Sequence, residues 1–169
     1  NGWNAERGYQ GGRAKLTPYE DGIRTPIFIR WPGKVAPKMD QTTLAHVTDI
    51  TKTIVDITGA KDPGDLPGLN LTDRTAMQAR ETVFVESYTH DMYDLDDPSK
   101  SLFCYVVIDG WWKLMIPTEV KPTRKFATKP AGIELYNLKE DPYERKNLAD
   151  EHPEVVAKLK KLQAEHWMP

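Results

Sequence analysis

The stretch Leu102-Phe103-Cys104-Tyr105-Val106-Val107-Ile108-Asp109-Gly110-Trp111-Trp112-Lys113-Leu114-Met115-Ile116 decides the fold. Two runs rich in β-branched and aromatic residues flank Asp109-Gly110, a dipeptide suited to the positive φ values of a type I′ hairpin turn. Residues 103–108 and 111–116 are therefore predicted to be paired antiparallel strands. Upstream, Thr82-Val83-Phe84-Val85-Glu86 reads as another strand, and downstream so does Ile133-Glu134-Leu135-Tyr136-Asn137-Leu138. Four strands at hairpin-like spacing predict a small antiparallel sheet. Pro153 suits the first position of a helix, where its missing N–H costs nothing. Behind it, Val155, Val156, Leu159 and Leu162 form an apolar stripe predicted to pack on the sheet. Glu154–Lys158 and Lys161–Glu165 are spaced as i,i+4 pairs on the outer side.

The first half reads differently. Residues 1–25 are rich in glycine, arginine and polar groups, without apolar periodicity, and are expected to be loop. Ile27, Ile29 and Trp31 alternate with Phe28 and Arg30, which predicts a short strand closed by Pro32-Gly33, with both faces at least partly covered. Residues 49–58 are predicted to form a helix, with Asp49 as N-cap, Ile50, Ile54 and Ile57 on one face, and Gly59 as its stop. Residues 61–71, with Asp-Pro-Gly and Leu-Pro-Gly, read as loop.

The chain has 169 residues and a net charge of −2, the size of one domain or one lobe of a larger one. Charge is nearly balanced and no basic stripe is visible, so a nucleic-acid partner is not expected. The short runs Lys158/Lys160/Lys161 and Lys121/Arg124/Lys125 read as solvated surface. There is no apolar run of about 18 residues, so no membrane-spanning helix is expected. Cys104 is the one cysteine. Its apolar neighbours make it a buried small hydrophobe and not a nucleophile or ligand. With no initiator methionine and no signal-peptide pattern, the chain is expected to begin mid-domain.

Chemistry concentrates in Lys15-Leu16-Thr17-Pro18-Tyr19-Glu20-Asp21-Gly22-Ile23-Arg24-Thr25-Pro26, a loop whose composition suits an anion. A lysine ammonium beside an anionic ester stabilises the bridging oxygen as the ester bond breaks and can donate to the leaving group. The ordinary alternative is a surface lysine. Arg24 reads as a cation that ties Glu20 or Asp21 and fixes the loop. His46 reads as a base or, more simply, as the residue that starts a helix. Asp91, Asp94, Asp96 and Asp97 miss the spacing of a calcium loop and read as a solvated acidic loop.

This segment resembles the central part of the type I sulfatases, members of the alkaline-phosphatase-like superfamily. The family pattern runs Asp-Asn-Gly, a variable loop, Gly-Lys, then Tyr-Glu-Gly-Gly-x-Arg-x-Pro and a strand closing on Trp-Pro-Gly. Here Asn1-Gly2, Lys15, Tyr19 to Pro26 and Trp31-Pro32-Gly33 follow that order, with Ala14 and Asp21 in place of two glycines. The resemblance continues through His46 to Gly59, where Lys52 replaces a usual proline, through Gly110-Trp111-Trp112-Lys113-Leu114, and through Glu134 to Leu148.

The resemblance implies an α/β fold. Residues 1–80 would be the C-terminal remnant of the sulfatase catalytic domain, contributing its last loop, strand and helix. Residues 81–169 would be the antiparallel sheet with its helix. Asn1 matches a calcium ligand of the family, an amide oxygen suited to a hard cation. Lys15 matches the catalytic lysine that contacts the sulfate group and the leaving oxygen. His90, in a polar aromatic loop after a strand, is a candidate substrate contact. The family nucleophile is a formylglycine made from Cys or Ser in a Cys/Ser-x-Pro-x-Arg motif. No such motif occurs here, since Tyr105-Val106-Val107 follows Cys104.

The implied function is hydrolysis of sulfate esters to alcohol and sulfate, with nucleophile and calcium completed by an N-terminal part. The alternatives are an inactive fragment that acts as a folding or oligomerising module, self-associating through exposed core surface, and part of a related phosphoesterase. The family setting is periplasmic, secreted or lysosomal. The organic part of the substrate, aryl, steroid or glycan, stays open.

Overall fold

The structure, a computed structural model, describes residues 13–124 and 127–166. It divides into two compact units: the described residues up to Pro26 with those from Phe84 onward, and Ile27–Val83.

The first unit is built on the predicted sheet. Strands β1 (Thr82–Tyr88), β2 (Leu102–Asp109), β3 (Trp112–Pro117) and β4 (Glu134–Asn137) lie in sequence order. β2 and β3 pair antiparallel from Asp109↔Trp112 to Cys104↔Pro117. The hairpin turn is therefore Gly110-Trp111, one residue later than expected. Only Gly110 takes a positive φ, 56°, so a type I′ turn, which requires it at both central residues, is not formed. β3 and β4 pair with Lys113↔Tyr136 and Leu114↔Leu135 in register.

Side-chain alternation sends two apolar sets to opposite faces of this sheet. Val107, Leu114 and Leu135 pack with Leu159 of the C-terminal helix, Pro153–His166, with Val155, Val156 and Leu162 against the same cluster. The stripe and its sheet contact are as predicted. Lys158, however, pairs with Asp109 at 2.5 Å and not with Glu154. On the other face Cys104, Val106, Met115 and Tyr136 pack with Tyr19 and Ile23. The front segment, expected to be plain loop, thus carries a one-turn helix, α1 (Glu20–Ile23), seated on the sheet.

In the second unit the helix runs Thr48–Thr58 (α2), one residue earlier than predicted, with Gly59 in the left-handed conformation at its end. Asp49 is consequently not the N-cap but lies inside the first turn, fully buried. Its carboxylate accepts the N–H of His46 at 2.7 Å and of Leu69 at 2.8 Å. It also makes a bidentate pair with Arg80 at 2.6 and 2.7 Å. Burial alone would raise the Asp49 carboxyl, but these donors, Arg80 foremost, outweigh it and hold the group below the usual carboxylate range. Thr53 accepts from the N–H of Leu71 at 2.8 Å. The loop after the helix therefore docks on its polar side, while Ile50, Ile54 and Ile57 are exposed. Gly68 permits the approach: a Cβ there would stand 2.8 Å from the Thr48 carbonyl. A short helix absent from the sequence reading, α3 (Arg74–Ala79), follows, capped by Asp73, which accepts from Thr75 and Ala76. The helix Pro153–His166 is α4.

The strand predicted over residues 27–31 is not formed, and Phe28, expected to be partly covered, is 89% exposed. A strand is held by hydrogen bonds to a neighbour, and none of the described residues pairs with this segment. Trp31 instead opens a turn, accepting from Lys34 and Val35.

Candidate functional site

Lys15 lies in the turn Ala14–Thr17, exposed, its side chain making no hydrogen bond or ion pair to another described residue. The turn is tightly specified. Thr17 Oγ1 donates to the Ala14 carbonyl at 2.6 Å. Leu16 adopts φ 70°, a left-handed value that costs a leucine energy and persists only where the surroundings enforce it. Beneath the turn lies Gly22 of α1, where a Cβ would meet the Thr17 and Ala14 carbonyl oxygens at 2.4 and 2.5 Å. Glycine is required at 22 because the turn rests on its backbone.

α1 is in turn fixed to the sheet. Tyr19 is buried, and its hydroxyl donates to Glu134 Oε2 at 3.0 Å, an oxygen that also accepts from Tyr136 at 2.7 Å. Burial first, and Glu134 second, push both phenols well above the usual tyrosine range. Arg13 lies over the Tyr19 ring at 4.3 Å and donates to the Glu144 carbonyl. Of the two carboxylates that the sequence offered to Arg24, Glu20 or Asp21, Glu20 is engaged elsewhere. Its Oε1 accepts from Lys113 Nζ at 2.9 Å.

Lys113 is the residue that sequence reasoning passed over. It is fully buried and lies between Glu20 and Glu144, whose Oε1 is 2.7 Å away. Glu144 Oε2 accepts the backbone N–H of Glu20 at 2.7 Å. Glu144 itself holds a left-handed φ of 54°. Burial raises its carboxyl above the ordinary range, Lys113 opposes that rise, and the Glu20 charge adds to it. The available signal was a lysine in the middle of an apolar strand, a position that demands buried counter-charges.

The other predicted residues lie apart from this arrangement. His90 is exposed, with Nδ1 3.3 Å from Asp91 Oδ1 and 3.4 Å from Arg124 Nη2. Arg124 also pairs with Asp91 at 2.8 Å. Asp94 accepts from the N–H groups of Asp96 and Asp97, and Lys100 pairs with both Asp94 and Asp97. His46 bonds Thr48 at 2.9 Å at the start of α2. Asn1 lies outside the described residues. Cys104 is buried, and desolvation pushes its thiol up to about 12, the reverse of an activated nucleophile. Among the described residues no group of three or more His, Cys, Asp or Glu is placed to hold a metal ion. They do not make a calcium donor set. No described helix is long and apolar enough to cross a membrane.

The family profile described as N-sulphoglucosamine sulphohydrolase, C-terminal, matches residues 8–167. The chain belongs to that family. It corresponds to the C-terminal portion of a type I sulfatase. It is 29% identical over 161 residues to an N-acetylgalactosamine-6-O-sulfatase of Bacteroides thetaiotaomicron, covering 91% of this chain and 29% of that protein. With arylsulfatase A of Homo sapiens it shares 30% identity, covering 88% of this chain and 31% of the relative. A solved structure from work on metabolism of multiple glycosaminoglycans by Bacteroides thetaiotaomicron superposes with TM-score 0.66 at 25% identity, covering 92% of this chain and 32% of that one. The sulfatase portion described here thus spans about a third of the length of these relatives.

Proposed function

We propose that this chain serves sulfate-ester hydrolysis as the C-terminal part of a sulfatase, with Lys15 as its catalytic cation. The ammonium faces the sulfate group and stabilises negative charge on the bridging oxygen as the ester breaks. The observation that carries this reading is the turn at Lys15. An exposed lysine with no counter-ion among the described residues stands beside a left-handed leucine, on a glycine that admits no side chain. A solvated surface lysine requires none of these. His90, next to Arg124 on an exposed loop, supplies a further contact to the anionic substrate. The formylglycine nucleophile and the calcium ligands come from sequence outside these 169 residues, with Asn1 as the one calcium ligand within them. The exposed apolar side chains of the second unit, Phe28, Ile50, Ile54 and Ile57, support a surface that such a portion covers.

The test is hydrolysis of an aryl sulfate and of N-acetylgalactosamine 6-sulfate, the latter chosen from the named relative. The isolated chain is expected to be inert. Joined to a sulfatase portion carrying the Cys/Ser-x-Pro-x-Arg motif, it is expected to turn over, and Lys15→Ala to lower kcat by about 10²–10³. Turnover by the isolated chain, or an unchanged rate in Lys15→Ala, overturns the reading.

A further inference from the structure

We propose that the buried cluster Lys113–Glu20–Glu144 is the positioning device for Lys15, setting the place of its turn from the opposite side of α1. The inference deepens the reading of Lys15 above and rests on it for its functional meaning. The linkage is continuous. Lys113, on β3, holds the Glu20 carboxylate at 2.9 Å, while Glu144 holds the Glu20 backbone N–H at 2.7 Å. Glu20 is the first residue of α1. Two residues on, Gly22 supports the carbonyls of Ala14 and Thr17, which bracket Lys15. A displacement of α1 therefore carries the Lys15 turn with it.

Stability alone does not account for the cluster. A buried ion pair is often no more stabilising than well-packed apolar side chains of the same volume, because desolvation offsets the attraction between the charges. Apolar packing at 113 would remove the directional contact to the Glu20 carboxylate and leave α1 held by Tyr19 and by the Glu20 N–H alone. The ionic cluster instead fixes one position, because Lys113 contacts one oxygen of each carboxylate and the second Glu144 oxygen takes the Glu20 N–H. Lys113 and the two glutamates are positioning residues and touch no substrate.

The experiment reads the loop directly. Glu20→Ala leaves the Lys113–Glu144 pair in place, so the sheet stays folded even where Lys113→Met does not. Amide exchange in residues 14–23 is expected to rise by about 10- to 100-fold, the factor a lost charge-assisted hydrogen bond sets, with exchange in β2 to β4 unchanged. In ¹⁵N-labelled protein, the Lys15 backbone amide signal is expected to move toward the position of a lysine in an unstructured chain. Leu159→Ala, on the other face of the sheet, is the control. It speeds exchange in the strands and leaves the Lys15 signal in place. Unchanged exchange and signal in Glu20→Ala overturn the proposal, as does a Leu159→Ala shift of the Lys15 signal equal to that in Glu20→Ala. None of these readouts requires ester hydrolysis. An inert Lys15 in the activity assay would therefore refute the function and leave the positioning intact.

Discussion

Two helices of this protein carry the same kind of apolar stripe and use it in opposite ways. In α4, Val155, Val156, Leu159 and Leu162 face the sheet, and Leu159 is completely buried. In α2, Ile50, Ile54 and Ile57 face outward, while Asp49 and Thr53 are the residues buried. A 3.6-residue period tells which face of a helix is apolar. It does not tell whether the same chain supplies something to cover that face. In α2 the polar side is the anchored one, through a carboxylate with four donors.

The strongest test of this contrast removes the α2 anchor. Arg80→Met leaves the Asp49 carboxylate buried with only backbone partners. It is expected to destabilise the second unit by about 3–5 kcal/mol, read as faster amide exchange across residues 48–79. If α2 were held by its isoleucines, the loss would be small. Leu159→Ala sharpens the other half of the comparison. Cutting a fully buried leucine from α4 is expected to cost about 2–5 kcal/mol in urea unfolding of the first unit.

The two buried carboxylates give the comparison a pH signature. Asp49 is depressed, so its contribution is present above the unfolded aspartate value and fades as pH falls through its lower folded value. Glu144 is raised, mainly by burial, while sharing one lysine with Glu20. Its sign is opposite: the contribution is full below the unfolded glutamate value and is lost as pH rises through the folded one. Acidification should therefore loosen the second unit first. Glu144→Gln should flatten the dependence of the first unit on the alkaline side of the glutamate range. Exchange measured at several pH values checks both, and parallel pH curves for the two units would refute the contrast.

Sequence reasoning reached most of the sheet because alternation, turn residues and the α4 stripe are local signals that agree with one another. It singled out Lys15 through a motif and missed the buried Lys113–Glu20–Glu144 cluster on the other side of α1. Glu20 and Lys113 lie 93 residues apart in the chain, and no local pattern announces their pairing. It expected Glu20 or Asp21 to be tied by Arg24, the nearest cation in sequence, whereas Glu20 is taken by the one in the strand beneath it. The strand predicted over residues 27–31 had the right alternation, yet none of the described residues pairs with it. The short helix α3 was announced by Asp73 as a cap, but its six residues are too few for a periodic signal to emerge.

The smallest expected effect is also the most discriminating. Ile54 is 52% exposed, so Ile54→Ala should change stability by no more than about 0.5 kcal/mol. The same truncation at Leu159 costs several times as much, although both residues occupy the centre of an apolar stripe. Ile54→Ser should in addition reduce self-association of the isolated chain in sedimentation experiments, because it interrupts the uncovered stripe formed with Ile50 and Ile57. A large stability loss in Ile54→Ala would mean that the stripe already has a partner within this chain and that α2 and α4 are built alike. Near-neutral stability with reduced association would mean that the α2 stripe is an open contact surface, and that the helix is held from its polar side through Asp49.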